Sequence, residues 1–122
     1  MKLKLVRQGN DHTCGQCCVA TLTGRPLEEV LKSIGKKGST NTYDLIRGLD
    51  SFGFKCDSKY TLGSDFPKNG TAILRFTNKE RTKAHWVVYF NKKYYDPNAG
   101  VFRKSPKYLK DADITSFLIV YI

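Results

Sequence analysis

The sequence predicts an α+β fold in which N-terminal helices pack against a C-terminal antiparallel β-sheet. Apolar residues recur at helical spacing through the first half, and from Lys55 onward β-branched and aromatic residues alternate with polar ones. The connections between the later segments are also too short for parallel crossovers. With 122 residues, no internal repeat, no low-complexity tract and no long linker, the chain is expected to form one domain over 1–122.

A first helix should begin near Thr13 or Cys14 and run to about Leu22, because Cys14, Cys17, Cys18 and Leu22 share a face and Thr13 is a good N-cap residue. PLEEVLKSIG gives a second helix. Pro26 suits the first helical position, Glu28 and Glu29 favour the first turn, Leu27, Val30, Leu31 and Ile34 form the stripe, and Gly35 is a stop. NTYDLIRGLDSFGF gives a third, capped by Asn41 or Thr42, with Leu45, Ile46, Leu49 and Phe52 on its apolar face and Gly48 weakening it. Strands are expected near 54–60, 71–77, 84–90, 93–96 and 116–122. Turns fall at Pro67–Gly70, Asn78–Lys83, Asn91–Lys93 and Pro97–Gly100, so the strands from 71 to 96 should form a meander.

Composition excludes several classes. A hydrophobic fraction of 40%, with ten glycines besides, is that of a globular domain and not of a disordered or collagen-like chain. The longest apolar run, Phe117 to Ile122, is a strand's length and not a membrane span. The first residues lack the apolar stretch of a secretory signal, so a cytoplasmic protein is expected, or an effector delivered without a recognisable signal peptide. The net charge of +10 suits an acidic partner or substrate, although the lysines and arginines are scattered through turn-like stretches as on a solvated surface. Three of the four cysteines, Cys14, Cys17 and Cys18, lie too close together for a disulfide framework. One Cys-x2-Cys with only Cys56 and two histidines elsewhere is a poor zinc set, so neither a metal nor another cofactor is expected.

What remains is the chemistry of a nucleophile. Cys14 falls at a helix N-terminus, where unpaired N–H groups and the helix dipole favour an anionic sulfur, whereas Cys17 and Cys18, a turn further in, read as small core residues. The base must be His12 or His85. His12 shares a loop with Cys14, while His85 opens the strand AHWVVYF and has a rigid mount. With Asn91 and Lys92 as turn residues, Phe90 pairs with Lys93 and Asp96 lies on His85's face, diagonal to it; Asn98 would stand directly opposite and is the alternative orienting group. By the same parity Trp86 faces away from His85, into the core. Gln8, six positions before Cys14, carries a non-titrating donor that could serve an oxyanion together with the Cys14 N–H.

In order and spacing these residues resemble the papain-like cysteine peptidases, most closely the bacteriocin-processing, double-glycine leader peptidase group and its small stand-alone relatives. QGNDHTCGQCCVA looks like that group's Gln-x5-Cys-Gly opening, AHWVVYF like its His-aromatic-Val-Val strand, and YYDPNAG like its Asp-Pro-x-x-Gly ending. Thr13 stands where that group usually has an acidic residue, and the hairpin from His85 to Asp96 is shorter than the group's. The resemblance implies a papain-like fold with Cys14 as nucleophile, His85 as general base and acid, Asp96 as orienting carboxylate and Gln8 as oxyanion donor.

The expected activity is therefore acyl transfer through a Cys14 thioacyl intermediate, on a protein or peptide substrate that the net charge suggests is acidic. The triad leaves peptide hydrolysis, deamidation and amine transfer open. Two other classes compete. Tyr94, Tyr95, Phe102 and Tyr108 among basic residues suit an RNA-binding or nuclease domain, and a sheet edge suits an inactive peptide-binding adaptor. No membrane partner is expected.

Overall fold

The computed structural model describes residues 2–9, 12–104 and 112–122. Tyr108, and with it Lys107 and Lys110, lies outside the described residues. The fold is mixed α+β: among the described residues three helices, α1 (Cys14–Thr23), α2 (Leu27–Ile34) and α3 (Thr42–Ser51), precede an antiparallel sheet. No helix among the described residues is long and apolar enough to cross a membrane.

Local chemistry accounts for the helix ends. Pro26 is the N-cap of α2, one residue earlier than the sequence suggested, and Gly35 ends that helix at φ 79°, where its N–H reaches Leu31 O. Asn41 caps α3 in a reciprocal box: its Oδ1 accepts the Asp44 N–H at 2.9 Å, and Asp44 Oδ2 accepts the Asn41 N–H at 2.9 Å. Asp44 also receives Lys36 Nζ at 2.8 Å and an Arg47 guanidinium N–H at 3.0 Å, which ties the end of α2 to α3. Gly48 is a packing residue, because a Cβ there would lie 2.9 Å from Ile34 of α2.

In α1 the single buried face expected from Cys14, Cys17, Cys18 and Leu22 is too narrow. Every residue from Cys14 to Leu22 is buried. The helix is enclosed by α2, α3 and strands of the sheet, and by the N-terminal segment, whose Val6 N–H bonds Thr21 Oγ1 at 3.0 Å.

The strands are β1 (Lys55–Cys56), β2 (Thr61–Leu62), β3 (Thr71–Asn78), β4 (Ala84–Phe90), β5 (Lys93–Asp96), β6 (Gly100–Phe102) and β7 (Ala112–Tyr121). They form a seven-stranded sheet in the order β1-β7-β3-β4-β5-β6, with β2 also on β7. The expected meander from 71 to 96 is present. Asn91 (φ 51°) and Lys92 (φ 62°) are both left-handed, as a two-residue type I′ hairpin requires, and Phe90 pairs with Lys93.

Three expectations need correction. The strand expected over 54–60 is two short strands, β1 and β2, each on β7. Gly100 opens β6 instead of only ending a turn. The last strand starts at Ala112, earlier than 116, and pairs with β3 from Ala112 to Val120. β7 also carries a bulge at Thr115: Arg75 pairs with Ser116, and Phe76 with Ile114.

Two cores result. On the helix side Cys18, Val19, Leu22, Leu45, Leu49, Ile73, Trp86, Val88 and Leu118 pack together. On the far side Phe66, Leu74, Phe76, Val87, Tyr89 and Phe117 form the second, with Phe66 edge-on to Tyr89 at 4.7 Å. The alternation of Trp86 and Val88 with Val87 and Tyr89 is the one that strand parity predicts.

Candidate active site

Cys14 is the first residue of α1 and is only 8% exposed. Thr13 occupies the N-cap, but its side chain makes no capping bond, contrary to expectation. Its backbone (φ −102°, ψ 15°) is outside the extended region that aims a capping oxygen at the first turn, and its hydroxyl instead accepts the Cys17 S–H at 3.9 Å. The first-turn N–H groups beside the Cys14 sulfur are therefore left without that side-chain acceptor.

His85, the second residue of β4, brings Cys14 and Asp96 together. Its Nε2 is 2.7 Å from Asp96 Oδ1, and the Cys14 thiol is a further hydrogen-bond partner of the ring. Burial alone would lower the imidazole's pKa. The hydrogen bonds to Asp96 and Cys14 and the charge of Asp96 outweigh it and raise the value to about 9. At neutral pH the ring is thus held as imidazolium between the carboxylate and the sulfur.

Asp96 is fully buried at the end of β5. Its Oδ1 also accepts the Asn98 N–H at 2.8 Å, so the carboxylate is fixed from two sides. Of the two orienting groups open in the sequence, Asp96 is the one bonded to His85, and Asn98 supplies its backbone. The expected pairing of His85 with Asn98 does not form, because β5 ends at Asp96 and the chain turns there, Ala99 N–H bonding Asp96 O at 3.2 Å.

Gln8 belongs to an extended N-terminal segment pinned to this turn. Its N–H donates to Pro97 O at 2.9 Å, and Arg7 donates to Asn98 O at 3.0 Å. The residue is therefore tethered beside Asp96. His12 is exposed, takes a left-handed backbone (φ 58°) and lines the cleft outside Cys14.

The other thiols differ from Cys14 by position. Cys17 and Cys18 are fully buried, and burial pushes both above the ordinary thiol pKa, Cys18 well above it with the charges of Cys14, Cys17 and Asp96 adding. Cys56 is half-buried in β1. All four are free thiols.

Next to Cys14 the sequence reading missed the parts played by Gly15, Gln16, Ser39 and Thr40. Gln16 is fully buried, and its amide donates to Lys36 O at 3.2 Å and Gly38 O at 2.8 Å, clamping the α2–α3 loop to α1. That loop supplies Ser39 and Thr40 to a cleft of about 440 Å³ with Cys14, Trp86, Arg75 and Lys83. Gly15 makes the close approach possible, since a Cβ there would lie 2.0 Å from Thr40 Oγ1, 3.0 Å from Leu45 and 3.2 Å from Trp86.

Gly15→Ala is expected to cost about 1–3 kcal/mol in chemical denaturation. Adding Thr40→Ala should recover part of the loss, because Thr40 Oγ1 has no hydrogen-bond partner among the described residues. Wild-type stability for the single variant would mean that the loop yields freely and does not fix the cleft wall.

No protein-family model matches the chain, and no curated protein matches it significantly.

Proposed function

We propose that the protein is a papain-like cysteine peptidase or a related acyl-transfer enzyme, with the whole chain as its one domain. The observation that carries this reading is the continuous contact from the Cys14 sulfur through the His85 ring to the buried Asp96 carboxylate. A helix-terminal sulfur, an imidazole on a strand and an orienting carboxylate are the parts that thiol acyl transfer needs.

In this mechanism the imidazolium of His85 holds the sulfur as thiolate, and the thiolate attacks an amide or thioester carbonyl. First-turn N–H groups of α1 and the Gln8 amide receive the oxyanion. His85 then gives its proton to the leaving group, and water or another amine, activated by the now neutral ring, releases the acyl group from sulfur. The active form works in the cytoplasm or as a delivered effector.

Limited alkylation with iodoacetamide at pH 7, read by peptide mapping, tests the proposal. Cys14 should react at least ten-fold faster than half-buried Cys56, while Cys17 and Cys18 stay unmodified until the fold opens. A Cys14 no faster than Cys56 would remove the reading's main support. The RNA-binding and adaptor alternatives predict, instead, function that survives Cys14→Ala.

A further inference from the structure

The helices leave part of the sheet's inner face bare. Along β3 the residues on the helix side are Ile73, Arg75 and Thr77; Ile73 is buried, whereas Arg75 is exposed and Thr77 half-buried. Arg75 lies over the Trp86 ring, its guanidinium carbon 5.7 Å from the ring centroid, and lines the Cys14 cleft.

Arg75 also lines a second hollow of about 390 Å³, together with Tyr60, Leu62, Thr77, Arg81, Thr115 and Ser116. The two hollows share Arg75 as a lining residue and so adjoin; taken together as a groove, they run from the Cys14 side past Arg75 to β2. The β7 bulge shapes its floor. Thr115, the extra residue, shares a hydroxyl hydrogen bond of 2.8 Å with Thr77 and approaches Arg75 O at 3.4 Å.

Among the described residues the groove's lining has one sign of charge: Arg75, Arg81 and Lys83 are exposed cations, and none of the described lining residues is an aspartate or glutamate. Besides His12 and the Cys14 thiol, most of the remaining polar side chains carry hydroxyls, and Leu62, 78% exposed, offers an apolar contact at the far end. Fixed guanidinium groups suit carboxylates, which they can grip with paired N–H donors.

We infer that the groove binds an acidic peptide segment, with carboxylate side chains on Arg75 and Arg81 within a few residues of the bond presented to Cys14. This rests on the acyl-transfer reading and adds the substrate's chemistry to it. A peptide is favoured over nucleic acid because the groove ends at a sulfur placed for carbonyl attack.

The test is fluorescence anisotropy with fluorescein-labelled hexaglutamate and hexaglutamine peptides in 50 mM salt. Wild-type protein should bind hexaglutamate at least ten-fold more tightly, and R75Q/R81Q should lose at least ten-fold of that affinity. K2Q/K4Q removes the same charge from exposed positions outside the groove and should change it less than two-fold. R75K/R81K, which keeps both charges but not the paired donors, should bind hexaglutamate more tightly than R75Q/R81Q does, separating lost charge from a disturbed sheet.

Equal weakening in R75Q/R81Q and K2Q/K4Q would overturn the inference, since the peptide would then read only net charge. Tighter binding of a twelve-residue oligouridylate that is lost in R75Q/R81Q would overturn it in favour of nucleic acid. Cys14 alkylation, measured in the same preparations, reports on the acyl-transfer reading separately. A fast Cys14 without peptide preference leaves that reading standing and ends this inference. A Cys14 no faster than Cys56 removes the reading, and with it the claim that the bound peptide is a substrate.

Discussion

His85→Ala is expected to lower Cys14-dependent turnover of an amide or ester substrate by about 10²–10⁴-fold, the range that a positioned general base and acid supplies. The loss has two sources. Without the ring, the sulfur loses the imidazolium that holds its charge, and the leaving group loses its proton donor. Combined with Cys14→Ala the effect should be no greater than that of Cys14→Ala alone, because the two groups act as one device.

Folding must be checked in the same samples, since Asp96 is fully buried and the variant removes the cation beside its carboxylate. Near-ultraviolet circular dichroism and a denaturation curve serve for that. His85→Gln, which keeps a hydrogen-bond donor near Asp96 but does not titrate, should be as inactive and more stable. Turnover within three-fold of wild type in a folded variant would mean that the sulfur is activated by something other than His85.

Short-range signals in the sequence foretold much of this arrangement. The stripe and glycine stop of α2, the Asn41 cap of α3 and the Asn91–Lys92 turn each depend on a handful of neighbouring residues. The turn mattered most, because a two-residue loop fixes the register of β4 on β5 and so puts Asp96 on His85's face. Sheet order was not legible. The placement of β7 between β1 and β3 joins residues 71–78 to 112–120, and no local pattern encodes a pairing over that separation.

The surroundings of Cys14 were hidden for a different reason. Gln16 lies opposite the face that Cys14, Cys17, Cys18 and Leu22 share, yet α1 is covered all round, and Gln16 is buried because its amide finds two loop carbonyls. Arg75 follows strand alternation faithfully as a polar residue between Leu74 and Phe76. That it faces a cleft depends on how far the helices extend across the sheet, which periodicity does not express. The strand expected over 54–60 failed where the chain leaves β7 after Asp57, whose N–H still bonds Ile119 O at 3.0 Å, leaving β1 and β2 as separate short contacts with β7.

Asp96→Asn separates the carboxylate's charge from its geometry. The asparagine carbonyl can still accept the His85 Nε2–H, so the ring's orientation is kept. What disappears is the charge that, with Cys14, raises the imidazole to about 9 against the burial that would lower it. The ring should then titrate near or below its ordinary 6.5, observed directly by NMR of the imidazole. At pH 7.5 only about a tenth of it would be imidazolium, so turnover should fall about ten-fold. Asp96→Ala also frees the ring to rotate and should lose a further ten-fold or more.

Stability gives an independent reading of the same interaction. In the wild-type protein the proton on His85 is bound more tightly in the folded state, so its contribution is fully present below about pH 6.5 and is lost as pH rises towards 9. Asp96→Asn should therefore flatten the decline of stability between those limits in urea titrations. Wild-type stability that rises from pH 6.5 to 9, or an imidazole that titrates unchanged without the carboxylate, would show that Asp96 does not hold the charge of His85 and that the sulfur at Cys14 is not poised by this pair.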